Sequence, residues 1–254
     1  MTSTDMPRAD RRLDPPVHVE RPTMVQRWED LSFVHWAFDP DDVRRHLPAG
    51  LEPDTFGGAA WVGMIPFRLW IRRPGVPYIP WVSSFPETNL RTYVIGPDGQ
   101  PGIWFLSLEA ARLGAVAIAR ADYRLPYVWA RTRMEKRGSL VRYWGRRRWP
   151  ISPAEAVYDV TLDVGASIGD ARGLDLFLSS RWHLYSPGRM RLPATGIDLV
   201  RTTVEHPRWP LQAAHVVHLE ETLLAAAGLP APREEPVALF SSGVTTRFER
   251  RRRL

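Results

Sequence analysis

The chain has 254 residues and no cysteine, so disulfides, thiolate nucleophiles and cysteine-based metal sites are excluded. The formal net charge is +6, and arginine carries nearly all of the basic charge because Lys136 is the one lysine in the sequence. A hydrophobic content of 44% with eleven tryptophans is enough for one large core, whereas 24 prolines and 18 glycines argue against long helices.

The composition also bears on the cellular compartment of the protein and on the classes of partner it could bind. No apolar run approaches the ~20 residues of a membrane-spanning helix, so we expect no membrane partner, and the lack of cysteine fits a cytoplasmic protein. A basic chain suits nucleic acid, but no zinc-finger, helix-turn-helix or RNP pattern accompanies the charge. A bias toward arginine on solvated strand faces is therefore the favoured interpretation, and a homo-oligomer stays open.

The first half of the chain predicts a short helix followed by strands. Residues 39–48, DPDDVRRHLP, have a capping aspartate, an early proline and a terminal proline, which favour a helix. Strands are expected through Trp61–Trp70 and at 87–95. The turn signal GPDGQPG at 96–102 then leads into a returning strand at 103–110.

The second half predicts one longer helix, more strands and a last short helix. Apolar residues at helical spacing predict a helix from about 109 to 119, which would start at Glu109. The segment TLLAAAGL predicts a helix that ends at Gly228. Further strands are predicted at 123–134, 140–149, 156–165, 180–186, 189–206 as a hairpin, 211–221 and 236–248.

About ten strands with three short helices favour a mainly β (α+β) domain, antiparallel and closed or partly closed into a barrel. We expect a single domain at 24–246. A flexible N-terminal arm at 1–23 precedes it, and a basic, disordered tail at 247–254 follows it.

Strand 87–95 places four polar side chains on one face, since successive side chains of a strand point to opposite faces. These are Glu87, Asn89, Arg91 and Tyr93. In a binding site, Arg91 would hold a carboxylate through its planar fork and Glu87 would handle a proton. The alternatives are an internal Glu87–Arg91 ion pair that touches no ligand, or a solvated strand face.

The segment FPETNLRTYV, a turn, and GIWFLSLEAARLGAVAIARADYRLPYVWARTRM together resemble the uncharacterised YqjF-like family of bacterial proteins. RWHLYS and VEHPRWPLQAAHV are similar to that family as well, and the resemblance covers about residues 24–246. The family is grouped with the acetoacetate decarboxylase-like superfamily. The resemblance implies a cone-shaped antiparallel β barrel with a central cavity and a few short flanking helices.

One position departs from the pattern of the superfamily's enzymes, which carry a Pro-Lys pair after the helix. On this sequence the acidic position falls on Glu87 and the Pro-Lys pair falls on Pro126-Tyr127. A phenol cannot form an imine with a ketone, so the resemblance implies no Schiff-base decarboxylation here. Tyr127 becomes a candidate hydrogen-bond donor at the reactive position, or else a core aromatic, and Lys136 is expected in an exposed turn.

Other residues complete the predicted site. Trp61, Phe67, Trp104 and Trp129 are expected to form the cavity wall. Glu87 and Tyr127 are the candidate catalytic residues, with Arg91, Asn89, Tyr93, Trp104 and Trp129 as ligand-binding residues. No cofactor is expected. No metal is expected either, because the histidines lack an H-E-x-x-H pattern or a matched second pair: His183, His206, His215 and His218.

The function predicted from the sequence is binding of a small carboxylate or carbonyl compound in a central barrel cavity. Whether the chain is an enzyme stays open. As an enzyme it would carry out lyase- or hydrolase-like chemistry on a small keto or hydroxy acid without a lysine nucleophile. The alternative is a non-enzymatic binding or scaffold protein that uses its arginine-rich surface for nucleic acid or an anionic surface.

Overall fold

The computed structural model describes residues 12–75, 83–112, 124–149, 155–188 and 198–254, and it is mainly β as predicted. All fourteen strands in these ranges belong to one sheet. In chain order they are β1 Met24–Phe38, β2 Glu52–Pro53, β3 Thr55–Phe56, β4 Ala59–Arg72, β5 Ser84–Ile95, β6 Pro101–Ala110, β7 Tyr127–Arg137, β8 Leu140–Trp149, β9 Val157–Ser167, β10 His183–Pro187, β11 Leu199–Glu205, β12 Leu211–Glu221, β13 Val237–Phe248 and β14 Arg252–Arg253.

Three short helices lie in the same ranges: α1 Pro40–Arg44, α2 Gly173–Ser179 and α3 Leu223–Ala226. The helices predicted at 39–48 and before Gly228 are confirmed as α1 and α3. The carboxylate of Asp39 caps α1 by accepting a hydrogen bond from the Asp41 amide at 2.8 Å. Within the described residues, no helix has both the length and the apolar character needed to cross a membrane.

Pairing of successive strands closes the sheet into a barrel. The circuit β5–β6–β7–β8–β9–β12–β13–β1–β4 returns to β5 and contains nine strands. Most neighbours are antiparallel, but β6 pairs in parallel with both β7 and β10. A second path runs from β6 through β10 and β11 to β13, so β10 and β11 cover the other face of the strands that the two paths share.

The shared strands bury both of their faces. On β1, Val34 and Trp36 pack in a core with Tyr143 of β8 and Tyr158 of β9. Phe33, which directly precedes Val34, points the other way and packs in a separate cluster. The alternation of one strand thus fills the barrel core with one set of side chains and presents the other set to β10 and β11.

The helix predicted to start at Glu109 is wrong at its beginning, because Glu109 lies in β6 and pairs with Val128 of β7. Residues 113–119 of that prediction lie outside the described residues. Strand pairing prevails over the helical spacing because the Glu109 side chain is almost fully buried and forms an ion pair with Arg147 at 2.5 Å. Glu109 therefore does not begin a helix.

The ends of the chain contain more structure than predicted. Arg252 and Arg253 form β14 on β11, so the tail expected to be disordered extends the sheet. In the described part of the N-terminal arm, Val19 is buried and its amide donates to the Glu205 carboxylate at 2.7 Å. The domain bounds at 24 and 246 stay predictions.

Candidate functional site

A cavity of about 300 Å³ lies between the shared strands and the pair β10–β11. Its described apolar wall comes mainly from β1, β4 and β6 and includes Trp28, Leu31, Ile65, Phe67, Phe105 and Leu108. Its buried polar lining consists of Gln26, Glu87, Asn89, Arg91, Ser179, Arg181, His183, Thr202 and His206. A mostly apolar pocket with a few convergent polar groups is the usual form of a small-molecule site.

Strand β5 delivers the polar row that the sequence predicted. Glu87, Asn89 and Arg91 all line the cavity, while Leu90 packs in the barrel core on the opposite face. Tyr93 lies in the same row but is not among the described lining residues, because its hydroxyl contacts the groups behind Arg91. The solvated-face interpretation is wrong, since Glu87 is 3% and Arg91 5% exposed.

Glu87 is a buried carboxyl group with one strong neighbour. Tyr127 forms a side-chain hydrogen bond with it, and the second carboxyl oxygen, Oε2, has no hydrogen-bond partner among the described residues. Burial raises the pKa of Glu87 from 4.5 to about 8, and the bond from Tyr127 only partly opposes this rise. Glu87 is therefore mainly protonated near pH 7 and can donate a hydrogen bond into the cavity.

Arg91 is a buried cation that the described residues do not neutralise. One of its terminal nitrogens, Nη2, donates to the Tyr93 hydroxyl and to the Leu178 carbonyl oxygen, both at 3.3 Å. Its Nε has no hydrogen-bond partner there, and no ion pair joins Arg91 to Glu87 or to any other described carboxylate. The internal Glu87–Arg91 pair that the sequence left open does not form.

The groups behind Arg91 hold it in place. Tyr93 donates to the Leu178 carbonyl oxygen at 2.7 Å, and Nε2 of His35 lies 2.6 Å from the Tyr93 hydroxyl. Burial, together with the positive charges of Arg91 and Arg181, lowers the pKa of His35 well below its ordinary value. A Cβ atom on Gly63 would meet His35 Nε2 at 2.3 Å, so glycine makes room for this imidazole.

A second buried arginine lines the cavity beside this network. Nη1 of Arg181 donates to the Asp54 carboxylate at 2.5 Å, and both side chains are almost fully buried. The Arg181 guanidinium also lies 4.3 Å from the ring centroid of Phe177 and 4.6 Å from that of Tyr93. Sequence reasoning missed this pair, because Asp54 and Arg181 lie 127 positions apart and no local pattern links Asp54 to the RWHLYS segment that Arg181 begins.

Two of the four histidines that were considered as metal ligands, His183 and His206, also line the cavity. Burial lowers the pKa values of His183 and His206 to about 4, so both are neutral near pH 7. His206 stacks on Trp182 with ring centroids 4.4 Å apart and also contacts Trp209. Among the described residues, no three His, Asp or Glu side chains are grouped to hold a metal ion.

Three of the four aromatic residues predicted to form the cavity wall lie away from the cavity. Phe67 lines the cavity, whereas Trp61, Trp104 and Trp129 do not. Trp104 pairs with Thr92 and packs with the cluster containing Tyr185, on the face of β6 away from Arg91. Trp61 packs against the cluster that contains Phe177, and the Arg148 guanidinium lies 5.8 Å from the ring centroid of Trp129.

The lysine of the chain is not at the cavity. Lys136 lies at the end of β7, is 45% exposed and forms an ion pair with Asp30 at 2.6 Å. Its Nζ also lies 5.1 Å from the ring centroid of Phe240. Tyr127 does line the cavity, beside Glu87.

Comparison with known proteins places this geometry in a family. Residues 25–245 match the family DUF2071, described as an uncharacterized conserved protein. The chain is 35% identical over 221 residues to the uncharacterized protein YqjF of Bacillus subtilis (strain 168), covering 86% of this chain and 87% of YqjF.

Solved structures share the fold at low identity. An acetoacetate decarboxylase-like enzyme from Sphingomonas wittichii RW1 is similar with a TM-score of 0.63 at 15% identity, over 92% of this chain and 93% of that one. The enduracididine biosynthesis enzyme MppR, in a structure complexed with pyruvate, is similar with a TM-score of 0.63 at 16% identity, over 92% and 91%. The chain therefore belongs to the DUF2071 family of YqjF-like proteins and has the acetoacetate decarboxylase-like fold.

Proposed function

We propose that this chain binds a small carboxylate that also carries a carbonyl or hydroxyl group, in the cavity beside β5. The observation that carries the proposal is Arg91, a buried guanidinium that no described carboxylate neutralises. An uncompensated buried charge costs several kcal/mol. A bound carboxylate would offset that cost through two parallel hydrogen bonds to the planar fork of Arg91.

The other end of the polar row suits a neutral acceptor. Glu87 lies four residues from Arg91 on β5, so their Cα atoms are about 13 Å apart, and both side chains line the cavity. A protonated Glu87 would donate its hydrogen to a carbonyl or hydroxyl oxygen of the ligand. Asn89, between them, has a buried Oδ1 with no hydrogen-bond partner among the described residues, so it would accept a hydroxyl or amide proton.

The same arrangement supports acid–base chemistry on a keto or hydroxy acid. A carboxyl group with a pKa near the working pH is suited to proton transfer, and the Tyr127 hydroxyl orients it. Neither Tyr127 nor the distant Lys136 provides an imine-forming amine at the cavity, so the proposed chemistry omits a Schiff base. The likeness to MppR, whose structure was solved in complex with pyruvate, is consistent with a 2-oxo acid ligand.

The test is a thermal-shift and calorimetric titration with short oxo, hydroxy and unsubstituted carboxylates. A ligand that binds the native state raises the melting temperature. We expect saturable shifts in the wild type and at least tenfold weaker binding in Arg91→Met. The matched control, Arg133→Met, changes an exposed arginine of β7 and should bind as the wild type does. No shift with any carboxylate, or equal shifts in Arg91→Met, would refute the proposal.

The second candidate function uses the basic surface instead of the cavity. An open groove on β7 and β8 is lined by Arg131, Arg133, Glu135, Arg142 and Trp144, which interleaves an aromatic with arginines as single-strand binders do. Arg142 is already paired with Asp159 at 2.5 Å, which weakens this candidate. Binding to single-stranded DNA that falls steeply with salt, and is lost in Arg131→Ala with Arg133→Ala, would favour it.

A further inference from the structure

We infer that the cavity takes an oxo or hydroxy acid that carries an apolar tail, and that it prefers an aromatic tail, which packs on Trp28. The inference rests on the proposed function and deepens it, because it names the substituent that the ligand carries beyond its carboxylate and its carbonyl or hydroxyl group. Trp28 becomes a residue that determines specificity by contact with the ligand, without a part in proton transfer.

Strand β1 turns alternate side chains toward the cavity. Gln26 and Trp28 both line it, as the period of two in a strand requires. The pairing of β1 with β4 is irregular between Glu29 and Val34, and Leu31 lines the cavity as well. Strand β1 therefore brings a large aromatic ring and an aliphatic side chain to the cavity.

Trp28 contacts three other aromatic rings, and all four residues line the cavity. Its ring centroid is 5.8 Å from that of Phe67, 5.9 Å from that of Trp209 and 6.3 Å from that of Phe248. The three partners are buried, whereas Trp28 is half-buried. These four residues form an aromatic wall whose spacings are those of stacked and edge-to-face pairs, so a ring on the ligand would extend the same packing.

The indole N–H groups of the aromatic wall are already bonded within the protein. Nε1 of Trp28 donates to Oε1 of Gln26 at 2.7 Å. Nε1 of Trp209 donates to the Ser179 carbonyl oxygen at 3.0 Å. Both N–H groups are therefore satisfied, and the two rings offer a ligand apolar surface.

Unpartnered polar atoms lie on other parts of the cavity lining. Among the described residues of β5 and β10 they include Glu87 Oε2, Asn89 Oδ1, Arg91 Nε and His183 Nδ1. Phe67 of the aromatic wall pairs directly with Glu87 across β4 and β5, so their side chains lie side by side. A ligand that bonds to β5 through its polar groups would thus place its tail against the aromatic wall.

Three charged residues also line the cavity, at the ends of β4 and β13: Arg72, Arg73 and Glu249. Arg73 is half-buried and the other two are exposed, so water reaches this part of the cavity. A tail that ends in an anion would approach Arg72 and Arg73. An anionic tail is therefore the alternative that the experiment has to separate from an apolar one.

The size of the cavity also favours a tail. Its volume of about 300 Å³ equals roughly ten water molecules at ~30 Å³ each. Pyruvate, a three-carbon acid, would leave much of that volume to water in contact with apolar rings. Each methylene group that replaces this water should raise the affinity about fourfold.

The experiment varies the tail of a 2-oxo acid and measures binding by calorimetry at pH 7. The first series is pyruvate, 2-oxopentanoate and 2-oxo-4-phenylbutanoate. Relative to pyruvate, we expect at least tenfold tighter binding of the second acid and at least hundredfold tighter binding of the third. A second comparison sets 5-methyl-2-oxohexanoate against 2-oxoglutarate, in which a carboxylate takes the place of the isopropyl group. We expect the apolar acid to bind at least tenfold more tightly.

Variants of Trp28 test its role directly. Trp28→Leu should weaken binding of 2-oxo-4-phenylbutanoate at least tenfold and change that of pyruvate less than threefold, and Trp28→Phe should recover most of the loss. The matched control is Trp144→Leu, which changes a half-buried tryptophan of the open groove on β7 and β8 and should bind as the wild type does.

A second variant covers the case in which Trp28→Leu does not fold, because its loss leaves the buried Oε1 of Gln26 without its donor. Val204 lines the cavity and packs in one cluster with Phe248 and Trp28. Val204→Phe would fill the space beside the aromatic wall. It should weaken binding of 2-oxo-4-phenylbutanoate at least tenfold and leave that of pyruvate within threefold.

The outcomes separate the two proposals. Equal affinity for all three acids of the first series, with each weakened in Arg91→Met, would overturn the tail inference and leave the proposed function standing. Tighter binding of 2-oxoglutarate than of 5-methyl-2-oxohexanoate would also overturn it, and so would equal losses for pyruvate and 2-oxo-4-phenylbutanoate in a folded Trp28→Leu. Absence of binding by all five acids would overturn the proposed function itself.

Discussion

The hydroxyl of Tyr127 hydrogen-bonds to the buried carboxyl group of Glu87, and the carboxyl oxygen Oε2 remains without a partner among the described residues. This relationship joins the start of β7 to β5 across the cavity. It leaves a protonated acid with one oxygen available to a ligand. The position that the resemblance assigned to an amine thus holds a phenol in contact with an acid.

The stability of the protein should depend on pH through Glu87. Its pKa is about 8 in the folded state against 4.5 as the ordinary value, so the folded state holds the proton more tightly. Between these values the unfolded state has lost a proton that the folded state keeps, so the free energy of unfolding falls as pH rises. Its decline starts near pH 4.5 and ends above about pH 8.

Glu87→Gln removes this dependence while keeping the size of the side chain. From pH 5 to pH 8.5 we expect the variant to gain stability relative to the wild type by roughly 2–5 kcal/mol, since each pKa unit is worth about 1.4 kcal/mol. Urea denaturation at several pH values measures the difference. A constant difference across this range would contradict the raised pKa.

Tyr127→Phe should raise the pKa of Glu87 further. The hydrogen bond from Tyr127 stabilises the ionised carboxylate, so its loss leaves the effect of burial unopposed. Carbon-13 NMR titration of labelled glutamate carboxyl groups reports the value, and Glu87→Gln identifies the resonance. A pKa that stays the same or falls in Tyr127→Phe would show that the phenol does not contact the carboxylate.

Arg91→Met should stabilise the ligand-free protein by about 1–3 kcal/mol while it abolishes binding. Replacing an unpaired buried charge with an apolar side chain of similar volume is often stabilising. A gain in stability with a loss of function is also typical of residues kept for a site. Arg133→Met is the control, with a change within about 0.5 kcal/mol at an exposed position. Destabilisation by Arg91→Met would instead indicate a structural role.

Gly63→Ala should destabilise the fold by about 1–3 kcal/mol, because the new methyl group would lie 2.3 Å from Nε2 of His35. The added His35→Ala change should cost less in Gly63→Ala than in the wild type, since the two sites share one space. Gly169→Ala is the control, with no neighbouring atom within 4 Å of the added carbon. Additive effects of the two changes would contradict this packing.

The alternation of side chains along a single strand made part of the site predictable. The residues whose position depends on the register between strands were not predictable. The period of two along β5 was enough to place Glu87, Asn89 and Arg91 together, because it needs no knowledge of neighbouring strands. Trp104 was misplaced because its face depends on how β6 pairs with β5. That register is irregular between Leu90 and Arg91, and a one-residue shift reverses the face.

Contacts between residues that are far apart in the sequence could not be predicted from local patterns. His35 reaches the cavity network from β1 and Asp54 from the position between β2 and β3, and no local pattern marks either residue. The sequence also failed to predict that Glu109 lies in a strand, for a related reason. Its burial is compensated by Arg147, 38 positions away, so tertiary pairing decided the local structure.

A crystal structure of the protein with 2-oxopentanoate tests the central claim most directly. We expect the carboxylate of the ligand within about 3 Å of the Arg91 guanidinium and its oxo group within hydrogen-bonding distance of Glu87. A cavity without ligand at saturating concentration, or a ligand whose carboxylate lies away from Arg91, would contradict the claim.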